Sequence, residues 1–109
     1  MHRFSRWKVP LTEAQSVQQV VKLMRDYVAT IGVEDLGALP ETCRQALTAE
    51  DIQGSAVILV REELQFSGDP TVAEMLHEIA HTFVAASTRM ASVQARGQPL
   101  PTASEALKA

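Results

Sequence analysis

Between positions 72 and 93, Val72, Leu76, Ile79, Phe83, Ala86, Met90 and Val93 follow one another at steps of four, three, four, three, four and three. This spacing constrains the fold more than any other feature of the chain. A repeat near 3.5 residues keeps one stripe of a helix turned towards a neighbour. It cannot be laid on a strand, whose side chains change face at every residue. A helix from about Pro70 to Gln94 is therefore expected. "SGDPT", residues 67–71, supplies its start, with Gly68 closing the preceding element, Asp69 as cap and Pro70 in the first turn. Gly97, Pro99 and Pro101 end it.

A second long helix is expected from about Thr12 to Ile31. Val17, Val20, Met24, Tyr27 and Ile31 repeat at helical steps, and Val21 and Val28 widen the stripe. Thr12 and Gln15 read as a capping box just after Pro10, and Gly32 stands where a left-handed C-cap would fall. Pro40 starts a short helix over about Glu41 to Leu47. Thr48 then reads as the N-cap of the next element, with Asp51 in its first turn. That element contains "AVILV", residues 56–60, an unbroken apolar run that periodicity alone cannot assign. Its acidic flanks, Glu50, Asp51, Glu62 and Glu63, favour helix over strand. The expected fold is all-α, a small antiparallel bundle of three long helices and one short one. The alternative is an α+β fold with one strand near 55–60. Residues 1–11 read as an N-terminal arm, 12–96 as a single bundle domain and 97–109 as a flexible tail.

The chain has 109 residues, the size of one domain, and 46 % of them are apolar. The formal net charge of −3 argues against a nucleic-acid binder. No apolar run approaches the roughly 20 residues of a membrane span, and no signal-peptide pattern follows the basic N-terminus. A cytoplasmic protein is expected. Cys43 stands alone, so neither an intrachain disulfide nor a multi-cysteine zinc site can form. It reads as a small, partly buried helix residue. The heptad stripe is longer than one neighbour in so small a monomer would cover, so a homodimer acting through protein–protein contacts, without catalysis, is the first functional expectation.

A second expectation comes from "LHEIAHTF", residues 76–83. His77 and His81 are four apart, on one helix face, where both imidazoles can reach one ion. In this the sequence resembles the zincin metallopeptidases. The resemblance covers about ten residues and implies His77 and His81 as zinc ligands, with Glu78 as general base of a zinc-dependent hydrolase. The family needs a third protein ligand. Val84 and Ser87 stand where the extended metzincin pattern has Gly and His, and the acidic residue that follows is Glu105, in the tail. A strand at 55–60 leading to the motif helix would match the order in small zincin-like peptidases that cleave phage repressors. His2 could contribute as a ligand if the arm folded back.

The plainer reading of the same residues is a solvated helix face. At about 100° per residue, His77 and His81 fall opposite the apolar stripe, together with Glu74 and Thr88. Glu74 with His77, and Glu78 with His81, then form weak local pairs. "RFSRWK", residues 3–8, mixes cations with Phe4 and Trp7. It reads as an anchor that plugs the core with an aromatic ring, or as an arm that touches nucleic acid or an anionic lipid surface. No nucleophile elbow or phosphate loop is present in the sequence. Arg61, Glu62 and Glu63 read as a solvated charge run.

Overall fold

Why the motif helix is buried on one side and open on the other follows from how six helices share one core. The computed structural model describes residues 3–97. In chain order the helices are α1 (Arg3–Glu13), α2 (Val17–Ala29), α3 (Val33–Ala38), α4 (Glu41–Thr48), α5 (Ile52–Gln65) and α6 (Pro70–Gly97). No strand occurs among the described residues. The all-α bundle is thus the fold, and residues 55–60 are helical within α5.

The long helix α6 is the spine, with α1, α2 and α5 packed along it. Its apolar stripe faces inward as the heptad spacing requires: Leu76, Ile79 and Ala86 are fully buried, and Phe83 and Val93 nearly so. The opposing side chains are Leu11, Val20, Met24, Tyr27, Ala56 and Leu59, all in the same core. The middle of the stripe is therefore covered by the chain's own helices, while Val72 and Met90 towards its ends are half-buried. The reason is the N-terminal segment. Residues 3–11, expected as an arm, belong to α1, and Leu11 is buried.

The single helix expected over 12–31 is instead broken at Ala14–Ser16. Capping places the break, not Pro10, which lies inside α1 three residues before its end. Ser16, rather than Thr12, caps the next helix: its Oγ accepts from the Gln19 amide at 3.1 Å, while the Gln19 side chain accepts from the Gln15 amide. The Ser-x-x-Gln pattern at 16–19 outcompetes the Thr-x-x-Gln pattern at 12–15. Thr12 instead turns its hydroxyl back to the Lys8 carbonyl at 2.7 Å. Arg89 of α6 fixes the break from outside, its Nε donating to the Ala14 carbonyl at 2.8 Å.

The other corrections are also matters of capping. Gly32 has φ −67° and begins α3 rather than closing α2 in a left-handed turn; Thr30 closes α2. Thr48 ends α4, and Asp51 is the N-cap of α5, accepting from the Gly54 amide at 2.9 Å. Helix α3 had no apolar period to announce it. It is one short turn-and-a-half with Glu34 and Asp35 in its first turn, a favourable place for negative charge. The expected start of α6 holds, with Asp69 accepting from the Thr71 amide at 2.7 Å. Helix α6 runs on to Gly97.

Candidate metal-binding site

Helices α5 and α6 are joined by four residues, Phe66–Asp69, and pack antiparallel. A turn this short brings the last turn of α5 beside the second and third turns of α6. Glu63 sits in the first of these and His77 in the second. The Glu63 carboxylate and His77 Nδ1 are in contact, the imidazole N–H donating to Oε1. One turn further along α6, His81 stacks its ring against His77, with centroids 4.0 Å apart and planes tilted by 42°. One ligand atom from each of Glu63, His77 and His81 lies within 4.8 Å of the other two.

The two helices contribute differently. His77 and His81 point to solvent, as expected from their position opposite the buried stripe. The Glu63 side chain is 20 % exposed against 59 % for His77, so the carboxylate is the better-held member of the cluster. A four-coordinate zinc with bonds of about 2.0–2.2 Å keeps its ligand atoms roughly 3.3–3.5 Å apart. A shared ion would take the place of the Glu63–His77 hydrogen bond, and the two imidazoles, both exposed, are the side chains freer to adjust. Two neutral imidazole nitrogens and a carboxylate are borderline-hard donors suited to zinc and its neighbours, and they leave a fourth position open to solvent.

Glu78 is half-buried on α6, about 100° around the helix from His77. The Glu78 carbonyl accepts from the buried Thr82 hydroxyl at 2.8 Å, an i to i+4 bond that reaches one residue past the motif. Of the motif's residues, His77 and His81 stand in the cluster with Glu63, and Glu78 is not among the three that could share an ion. Glu105 and His2, the other ligands considered from sequence, lie outside the described residues. The signal that points to Glu63 was present in two separate expectations. A tight α5–α6 hairpin and a Glu62–Glu63 pair at its end bring carboxylates towards the first turns of α6, and the structure selects Glu63 as the one against His77.

Elsewhere, Trp7 packs edge-on against Tyr27, with ring centroids 5.8 Å apart and planes at 80°. That contact agrees with the anchor reading of the N-terminal segment. Cys43 is fully buried. Burial and the nearby Glu62 charge push its thiol up to about 11, against a smaller opposing effect of Arg44. It is inert at neutral pH. No described helix is long and apolar enough to cross a membrane. Searched against protein-family models, curated proteins and solved structures, the chain matches none of them significantly.

Proposed function

We propose that this chain is a divalent-metal-binding helical protein, with Glu63, His77 and His81 as ligands of one zinc-type ion and Glu78 beside them as the base of a hydrolytic reaction. One observation carries the reading: a carboxylate, Glu63, stands beside the two histidines of the HExxH motif, on a different helix. Two histidines and a carboxylate plus an open position is the donor set of catalytic rather than structural zinc. A zinc ion there would supply Lewis acidity. The part of the chain is to hold the ion between α5 and α6 and to keep a carboxylate, Glu78, within reach of a water molecule.

The substrate of such a reaction would not be bound as in the zincins' sheet-edge mode. That mode adds an extended peptide to an exposed strand, and none exists among the described residues. The homodimer expected from the α6 stripe would have little of that stripe to use, because Leu76, Ile79, Phe83, Ala86 and Val93 are buried within one chain.

The test is calorimetric titration of zinc into chelator-stripped protein. One ion per chain at submicromolar strength is expected, lost in both His77→Ala and Glu63→Ala. Glu78→Gln is expected to keep the ion while losing hydrolysis of model amides and esters. Binding that survives Glu63→Ala would overturn the three-ligand site. Equal hydrolysis by the unaltered protein and Glu78→Gln would overturn the role of the base.

A further inference from the structure

The histidines of the metal cluster lie on the first half of α6. Beyond them α6 packs on α1, and between the two helices opens a cleft of about 350 Å³. Its floor is the buried Leu11 with Ala85. Around the floor stand two cations, Lys8 of α1 and Arg89 of α6, and the hydroxyls of Thr12, Thr88 and Ser92. No carboxylate of the described residues lines it. The shortage extends past the cleft. Glu13 apart, every carboxylate of residues 3–97 falls between Asp26 and Glu78 in the chain. Arg3, Arg6 and Lys8 belong to α1, and Arg89 and Arg96 to the second half of α6. A chain with a net charge of −3 thus carries a basic region where these two segments meet.

The donors of the cleft are placed and unspent. Arg89 is half-buried, and its Nε donates to the Ala14 carbonyl at 2.8 Å. That bond holds the guanidinium, while its terminal nitrogens make no hydrogen bond with a described residue. A guanidinium held in this way is a fork for two oxygens of one anion. Lys8 adds a point charge and pairs with no described carboxylate. The hydroxyls divide. Thr12 and Thr82 turn theirs back to carbonyls of their own helices. Thr88 and Ser92, one turn apart on α6, do not, so both can donate to a ligand. Two uncompensated cations and two hydroxyl donors match a dianion better than a monoanion. A long polyanion would run past the cleft onto the acidic remainder of the surface, so a compact one is favoured. We infer that the α1–α6 cleft binds a phosphate monoester, its phosphate between Arg89 and Lys8 and its organic part against Leu11 and Ala85. The volume falls within the range of small-molecule sites. A soluble phosphorylated molecule and a lipid headgroup both offer this chemistry.

The experiment titrates glycerol phosphate and glycerate into chelator-stripped protein by calorimetry at low salt. Glycerol phosphate is expected to bind about tenfold more tightly than glycerate, or better, because a dianion meets two cations. Lys8→Gln and Ser92→Glu, both at exposed positions, are expected to weaken it by about tenfold and to leave thermal unfolding unchanged. Arg89→Lys is expected to weaken it too, because the charge stays and the fork is lost. His77→Ala should not alter it, since the cleft shares no residue with the metal cluster, so either site can fail without the other. Binding of both anions with equal strength, or binding unchanged in Ser92→Glu, would overturn the inference. Flotation with phosphatidylcholine vesicles containing a fifth of phosphatidic acid separates the two carriers. Capture by these vesicles without binding of glycerol phosphate, lost in Ser92→Glu, would support the site with a lipid as its carrier. Equal capture by phosphatidylglycerol vesicles of the same charge would overturn recognition of a monoester. No binding to glycerol phosphate or to either vesicle would overturn it as well. Preference for duplex DNA over all of these would make the basic region a nucleic-acid surface, and the monoester inference would fall.

Discussion

The two sides of α6 use the same twenty-odd residues in opposite ways. On the inward side, Leu76, Ile79, Phe83 and Ala86 are buried, and each is apolar. On the outward side, His77, His81, Val84 and Thr88 are exposed, and they combine imidazoles with aliphatic and hydroxyl surface. The inward side is determined by packing, so changes there act on stability. The outward side contributes little to packing, so it is free to carry chemistry. Substitutions that separate stability from binding test that division.

The largest effect is expected on the inward side. Phe83 is 2 % exposed, at the centre of the stripe. Phe83→Ala should destabilise by about 3–5 kcal/mol in chemical denaturation, through lost burial and the cavity left behind. A loss below about 1 kcal/mol would show that the core repacks and that α6 is not the spine of the fold.

The outward side predicts the reverse pattern. His77→Ala should change the stability of the metal-free protein by no more than about 0.5 kcal/mol, the usual range for surface positions. Glu63→Ala, at a side chain only 20 % exposed, should change it by up to about 1 kcal/mol. With zinc at a hundred times its dissociation constant, the unaltered protein should gain about 2.7 kcal/mol. Neither variant should gain this. Thermal unfolding with and without zinc measures both quantities. A large loss in the metal-free variants would make the Glu63–His77 contact a structural clasp, and the contrast between the two sides would fail.

The α6 stripe and its Asp69–Pro70 start were legible because both are local: a spacing and a cap. The helical nature of residues 55–60 was legible from their flanks. The break at 14–16 was not, because two capping patterns four residues apart compete there, and the winning one, Ser16 with Gln19, is backed by Arg89, distant in sequence. The α1 packing that covers the stripe was missed for a similar reason. Pro10 reads as a boundary, yet α1 carries it inside and still buries Leu11. Glu63 was missed because its role depends on a partner across a turn, which no single-helix pattern encodes.

Polar groups on the dry side sharpen the comparison at smaller scale. Ser55 is fully buried in α5 and donates its hydroxyl to the Ala46 carbonyl at 2.6 Å. Ala46 lies in the last turn of α4, where carbonyls lack helical partners. Ser55→Ala would leave that carbonyl buried and unsatisfied, at a cost of about 1–2 kcal/mol. Equal stability by denaturant titration would mean that water reaches the α4–α5 junction.

The smallest effect at neutral pH belongs to Cys43, and its dependence on pH has a definite sign. Its thiol is raised in the folded protein from 9.0 to about 11, first by burial and then by Glu62. A group whose folded value lies above its unfolded one contributes stability below the unfolded value and loses it as pH rises. Stability should therefore be insensitive to Cys43 below about pH 9 and decline between about 9 and 11, as the unfolded chain releases a proton the folded chain retains. Cys43→Ala should lose this part of the decline while other titrations persist. The same burial predicts slow reaction with an aromatic disulfide reagent at pH 8 and rapid reaction once guanidinium unfolds the chain. Rapid labelling of the native protein would show that α4 opens from the core. The dry side would then be less sealed than the exposure of its residues implies, and the stability division between the two sides of α6 would hold only for the helices that pack on it directly.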